Sequence, residues 1–432
     1  MKKHWKYLLL LLLVPGFLAC GDDPSPLPDD PDDENPTTFE RSYAFSGSMP
    51  ENVLRSYLSR SITMAEFLTA DEFIYDSAIP QREDDERMLI DMGAKFVGRS
   101  IFMWGSEDKA ANPDFFAKAK QRLEQMHALD GDLIFQACIF EIITTKVNEI
   151  AIPAWVFEAF NLDVEDRMFD YSKMINTSGK FVNQWADGAS VPDVSRLETR
   201  MWFYFLAKNY IDIGIEAIHW GQVELDAMAD KNNNYEGWND VLTRVRDYAS
   251  ENARRKFILS DGHVPSGGLV VDGNLLLDFH SFPLRMREIY GKPQEAELVL
   301  YYEDAFYRRS KGGTTPSGWE SENLPYLVEF DNFGISSFPG EAKLSSTWVW
   351  GYDEITWFSL QPEDYRNEFL KYAWDWIEEY DPIGNLQMPG NRKVVPYAGS
   401  WNERYRANRK TAGFEHGYSQ EETIKQIWSD DE

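Results

Sequence analysis

The chain has 432 residues, with 43 Lys or Arg against 72 Asp or Glu and a formal charge of −29. So acidic a balance excludes a sequence-independent nucleic-acid binder, which must neutralise phosphates with cations, and 43% hydrophobic with 15% aromatic residues excludes global disorder. With only two cysteines, Cys20 and Cys138, no disulfide framework can organise the fold.

At the start of the chain, Lys2, Lys3 and Lys6 precede a short apolar run at residues 8–14 and then Phe17-Leu18-Ala19-Cys20. This is the layout of a signal peptide over residues 1–19, and the run is too short for a membrane span of about 20 residues. Phe17-Leu18-Ala19-Cys20 resembles a bacterial lipobox, although Phe17 stands where Leu is usual. The resemblance implies that Cys20 is acylated and heads a lipid-anchored protein. Residues 20–38 follow as an Asp- and Pro-rich stretch expected to stay extended and unfolded. An acidic stretch behind a lipidated cysteine also resembles the surface-export signals of Bacteroidota lipoproteins, which implies an outer-membrane lipoprotein exposed at the cell surface.

Residues 39–432 contain no second Pro-rich linker and no repeat of fixed period, so they read as one domain. Within it, short apolar strand patterns alternate with amphipathic helix patterns, the signature of an α/β fold with a parallel sheet. A helix over residues 84–92 stops at Gly93, and residues 95–104 (KFVGRSIFMW) form the first predicted strand. Asn112-Pro113 caps a second helix that ends at Asp130-Gly131, and residues 133–141 (LIFQACIFE) form the second strand. A long insertion over residues 142–194 comes next, of the kind that builds a wall or lid. Ser195-Arg196-Leu197-Glu198 reads as a capping box opening a helix that Gly214 closes.

The third strand is predicted at residues 215–220, a helix at 235–254 and the fourth strand at 256–264 (KFILSDGHV). The fifth, at 275–282 (LLLDFHSF), follows too closely for a helix, so that crossover is irregular. The sixth, seventh and eighth strands are predicted at 326–332 (YLVEFDN), 347–351 (TWVWG) and 385–388, with a helix after Pro362 and a closing helix at 423–428. Eight strands with mostly helical crossovers predict a single (β/α)8 TIM-like barrel. An open doubly wound sheet is the alternative, but no Gly-x-Gly-x-x-Gly turn follows any strand.

Reacting groups of such barrels lie at the carboxyl ends of the strands, and here those ends are polar. They carry Glu141, His219, Gln222, Glu224, Asp261, His263, Asp278, His280, Glu329, Asp331, Asp353 and Glu354, with Trp104, Trp220, Trp348 and Trp350 beside them. Alternation along a strand turns Asp261 with His263, Asp278 with His280, and Glu329 with Asp331 to one face each, expected to be the inner one. So many charges in one mouth are costly unless they bind or react. Rings beside acids and amides suit a carbohydrate, whose CH faces stack on indole while its hydroxyls bond to polar groups.

Leader, acidic spacer and acid-lined aromatic barrel together resemble glycan-degrading surface lipoproteins of Bacteroidota, with a layout similar to glycoside-hydrolase barrels. The resemblance implies hydrolysis of an oligo- or polysaccharide by paired carboxyls, without a cofactor. Glu224 is the expected acid, Glu329 its partner and Asp261 the reserve. Glu141, His219, Gln222, His263, Asp278, His280, Asp331, Trp104, Trp350, Asp353 and Glu354 are the expected substrate contacts. No signature of a specific hydrolase family is present. The alternatives are a metal-dependent barrel hydrolase or isomerase using the same His, Asp and Glu side chains, and a non-catalytic glycan-binding lipoprotein. Sugar, linkage and oligomeric state stay open.

Overall fold

The computed structural model describes residues 40–69, 82–344, 346–412 and 414–431. The predicted leader, Cys20 and acidic spacer lie outside the described residues. Among those described, eight parallel strands form the centre: β1 (Ser61–Met64), β2 (Phe96–Ile101), β3 (Ile134–Cys138), β4 (Ala217–His219), β5 (Leu259–Asp261), β6 (His280–Pro283), β7 (Tyr326–Glu329) and β8 (Gly384–Val394). Each strand pairs with the next from β1 to β5 and from β6 to β8, and β8 pairs back with β1. Between β5 and β6 the ring is completed by a parallel bridge from His263 to Ser281, and by the Asp278 N–H donating to the Ser260 carbonyl at 2.8 Å. The architecture is a (β/α)8 barrel.

The number of strands agrees with the expectation, but the membership differs. β1 (SITM) is missing from the prediction because four wholly buried residues carry no legible alternation. The expected seventh strand at residues 347–351 is a turn with one isolated bridge, Val349 to Tyr352, and Trp350 sits at φ 51°, a left-handed conformation foreign to strands. The true β6 starts at His280 rather than at residue 275. Residues 270–271 and 274–275 instead join 313–314 and 320–321 in a separate small sheet that fills the helix-free crossover.

The α-helices of seven or more residues among the described residues are α1 (Glu51–Leu58), α2 (Arg82–Met92), α3 (Pro113–Leu129), α4 (Leu197–Asp212), α5 (Glu236–Asn252), α6 (Glu354–Leu360), α7 (Glu363–Tyr380) and α8 (Glu421–Asp430). α3 begins as expected: the Asn112 side chain accepts from the Asp114 N–H at 3.0 Å, and Pro113 occupies the first turn, where no N–H partner is required. α4 occurs without its expected capping box. Glu198 instead accepts two guanidinium N–H groups from Arg167, at 2.6 and 3.0 Å, and the Asp170 N–H at 3.0 Å, while Ser195 donates to Asp193. A charge-assisted fork outcompetes a single reach-back to the backbone.

Two layers fill the lumen. At the amino ends of the strands, Phe96, Ile134, Ala217, Leu259 and Leu327 pack with Phe279 against Val53, Leu54, Tyr57 and Leu58 of α1, which plugs that end with an apolar seal. Two residues further along, the inward positions turn polar on every strand but β2, which has Gly98 there: Thr63, Gln136, His219, Asp261, Ser281, Glu329 and Gln387. A change from apolar to polar within one period-2 step places a hydrogen-bonded floor directly beneath the carboxyl-end mouth.

Candidate active site

The floor is internally bonded. Thr63 donates to Gln387 at 3.0 Å, Gln136 Nε2 donates to Asp261 Oδ1 at 2.7 Å, and Asp261 Oδ2 faces His219 Nδ1 at 2.7 Å with the Ser281 hydroxyl 3.2 Å from the same nitrogen. Gly98 is the glycine this floor requires, since a Cβ there would lie 2.4 Å from Gln387 Nε2. Burial pushes the Asp261 carboxyl up to about 7 and holds the His219 imidazole well below its ordinary value. Near neutral pH the imidazole of that short contact is therefore neutral, while the carboxyl sits close to its midpoint.

Above the floor lies a clamp. β2 breaks register with β3 between Val97 and Ile101, and Arg99 in that break takes φ 57°, an irregularity that turns a strand residue toward the mouth. Arg99 grips both carboxylate oxygens of Glu329, one of them by Nε at 2.7 Å. From β8, Arg392 donates to Glu329 at 3.0 Å and to Asp331 at 2.8 Å. His263 Nε2 stands 3.6 Å from Glu329. Burial alone would raise the Asp331 carboxyl, but Arg392, with Arg99 and Arg285 near it, holds it well below the usual carboxylate range. His263 is kept neutral by burial and by the neighbouring His219 ring, 5.0 Å away between centroids.

Over the clamp opens a cleft of about 210 Å³ bounded by Gln222, His263, Phe282, Arg285, Asp331 and Phe333. Gln222 is fixed from behind: its backbone N–H and its side-chain amide each donate to the Glu141 carboxylate at 2.9 Å. Gly221, at φ 59°, allows this approach, since a Cβ there would sit 2.2 Å from Glu141 Oε2. Burial pushes the Glu141 carboxyl up.

The structure thus brings Glu141, His219, Gln222, Asp261, His263, Glu329 and Asp331 together at one mouth. Asp331 borders the cleft, whereas Glu329 and Asp261 lie beneath it at 2% and 0% exposure. Glu224 is half-buried in the short helix Val223–Asp226, where one oxygen accepts from the Ser266 N–H at 3.0 Å.

Other expected contacts lie elsewhere. Asp278 bonds to the Ser260 N–H at 2.9 Å and to Arg246 of α5 at 3.1 Å, so it faces the helical shell. His280 is buried against Phe306 and bonded to Ser310. The inward residue of β6 is Ser281, because the bends before His280 reset the alternation expected from residue 275. Asp353 caps α6, accepting from the Thr356 and Gly334 N–H groups at 2.8 and 2.6 Å. Glu354 fastens the loops after β6 and β7 through Leu284, Arg285 and Asp331 N–H groups. Trp350 is buried with its indole on the Glu295 carbonyl, and Trp220 packs on Phe203 of α4 and Trp238 of α5. Trp104 is 45% exposed, edge-on to Phe140 and Trp185.

Arg99, Arg392, Gln136 and Ser281 also belong to this site, although none is an acid or an imidazole at a predicted strand end. The available signal was an arginine one or two residues after a glycine inside otherwise strand-like segments, FVGRSI and MPGNRKV. Among the described residues, no group of three or more His, Cys, Asp or Glu side chains is arranged to hold a metal ion.

No known protein family matches the chain, and no curated protein does. Among solved structures it is similar to a GH113 β-mannanase from Alicyclobacillus acidocaldarius, at 11% identity over 87% of this chain and 98% of that one, with a TM-score of 0.39. It is also similar to endo-glycoceramidase II from Rhodococcus sp., at 12% identity over 85% and 78% of the two chains, with a TM-score of 0.40. An α-galactosidase from Thermus thermophilus matches at 14% identity with a TM-score of 0.32, over 55% of this chain and 42% of its own length. At these distances no residue role passes from one chain to the other, and the chemistry of the mouth rests on this chain's own side chains.

Proposed function

We propose that the chain is a carbohydrate-acting hydrolase of the glycoside-hydrolase type, working at the carboxyl-end mouth of its barrel. The observation that carries this reading is the separation of protonation states in one mouth. Asp331 is held ionised beside Arg392, while Glu141 and Asp261 are held up by burial. Carboxyls driven apart in this way suit a reaction in which one group gives a proton to the departing sugar oxygen and another attacks the anomeric carbon or takes a proton from water. Glu224, with its second oxygen not engaged by Ser266, is the proposed donor. The Arg99 and Arg392 fork fixes Glu329 as its partner, and Asp331 is its neighbour on the cleft side. The proposal extends to the anchor: Cys20 carries the lipid, and residues 20–38 space the barrel from an outer-membrane surface.

The first test is a screen of the purified protein for reducing-end release from neutral polysaccharides, followed by Glu224→Gln and Glu329→Gln. Each variant is expected to lose activity by about a hundredfold or more while still binding glycan. Near-normal turnover in both would overturn the assignment. A second reading, non-catalytic glycan binding, is favoured by the complete engagement of the Glu329 oxygens beneath the cleft. It predicts retention on glycan in affinity electrophoresis with no product released. For the anchor, Cys20→Ala is expected to move the protein from the membrane fraction to the soluble one.

A further inference from the structure

Outside the cleft, the mouth carries a second feature that the proposed chemistry does not use. Trp104 follows β2 and keeps 45% of its surface exposed, although a tryptophan has more to gain from burial than any other side chain. Its ring is nevertheless held in place. It meets Trp185 edge-on with centroids 5.4 Å apart and Phe140 edge-on at 5.5 Å. Phe140 in turn meets the His219 ring at 5.9 Å and lies under the Arg99 guanidinium at 5.4 Å. Trp185 belongs to the long insertion after β3, in a tight loop where the Asn183 side chain accepts from the Gly188 N–H at 3.0 Å and the Trp185 N–H donates to the Ala189 carbonyl at 3.1 Å.

The two tryptophans connect to the cleft through one residue. Trp185 Nε1 donates to the Glu141 carbonyl at 2.8 Å, and the Glu141 carboxylate holds both the backbone and the side chain of Gln222, which borders the cleft. Glu141 is therefore a positioning residue with the cleft wall on one side and the indole pair on the other. Edge-on contacts leave indole surface open to a flat apolar partner, and the CH face of a pyranose is such a partner.

Resting on the carbohydrate reading, we propose that Trp104 and Trp185 form a separate sugar-binding position that takes a further pyranose ring of the same saccharide chain. The ligand is then an oligo- or polysaccharide lying from the cleft across Gln222 to the indoles, rather than a single terminal sugar.

The experiment is calorimetric titration of the whole protein with disaccharides and hexasaccharides of mannan, cellulose, xylan, chitin and galactan, repeated on Trp104→Ala, Trp104→Phe and Trp185→Ala. The expected result is an affinity for the bound hexasaccharide about tenfold lower in Trp104→Ala, with the disaccharide unchanged and Trp104→Phe partly restored. Trp104 is on the surface, so Trp104→Ala keeps its fold, as an unchanged circular dichroism spectrum would verify. Equal hexasaccharide affinity in wild type and Trp104→Ala overturns the second position and leaves the carbohydrate reading standing. Failure of wild type to bind any of these saccharides overturns both.

Discussion

A carboxylate and an arginine buried together are worth little as a pair, yet removing one partner leaves the other charged and unsolvated. Arg392 illustrates this with two dependants, Glu329 and Asp331, and 3% side-chain exposure. Arg392→Met is expected to cost about 3–5 kcal/mol in urea denaturation at pH 7, and a loss under 1 kcal/mol would mean that Arg99 alone satisfies the site. The pH dependence has a definite sign. Asp331 is held low in the folded state, so its stabilisation is present above about pH 4 and lost as pH falls through the folded value. Without Arg392 that acid-side loss should shrink. Legibility of the site divides along the same line. Glu329, Asp331, His263 and Asp261 were readable as acids and imidazoles at strand ends. Their clamp was not, because Arg99 reaches the mouth only through a break in register, which alternation cannot express. Asp353 and Glu354 show the converse error: both sit near the mouth in sequence, but their oxygens are spent on backbone N–H groups.

Among the elements, the meeting of β5 and β6 is where the barrel is least conventionally joined. A single bridge, from His263 to Ser281, takes the place of a ladder there, and the Asp278 carboxylate supplies the acceptor that the Ser260 N–H would otherwise lack. Asp278→Ala removes that acceptor and one of the two acceptors of Arg246, the other being the Leu276 carbonyl, and is expected to destabilise by about 1–3 kcal/mol. Amide exchange should accelerate along β5 and β6 while β1 to β3 stay protected. Uniform acceleration across all strands would show that the seam does not open independently. This seam also marks where sequence reading of the fold stopped working. Helices with caps and long stripes, such as α3 and α7, were legible because their signals are local. β1 is too short to show a period, and residues 275–282 divide between two sheets at a bend. The compensating errors, β1 missed and residues 347–351 added, left the strand number unchanged while shifting the place of every strand from β2 to β7 in the barrel by one.

At the scale of the whole molecule, buried acids and buried histidines push stability in opposite directions with pH. His127, His219, His263 and His280 are held below the ordinary imidazole value by burial. The unfolded chain protonates them near 6.5, so their contribution is complete above about pH 6.5 and shrinks as pH falls. Asp85, Glu141, Asp226, Asp230, Asp261 and Asp278 are pushed up by burial, Asp85 to about 6 and Asp261 to about 7. Unfolded, these acids ionise near pH 4. They favour the fold at low pH, and that benefit is lost as pH rises through the folded values. The acids outnumber the histidines, and a formal charge of −29 adds self-repulsion that also grows with pH. The melting temperature should therefore be higher at pH 5.5 than at pH 8, and the opposite order in scanning calorimetry would refute the balance. Asp226 isolates the carboxyl share. It is fully buried, with no hydrogen-bond partner for either oxygen among the described residues, so ionising it in place is costly. Asp226→Asn keeps the shape and removes the titration. It should raise the melting temperature at both pH values and by more at pH 8, because the unfolded carboxyl is already ionised at pH 5.5 while the buried one keeps its proton to higher pH; equal shifts at both would show that the folded carboxyl is already ionised by pH 5.5.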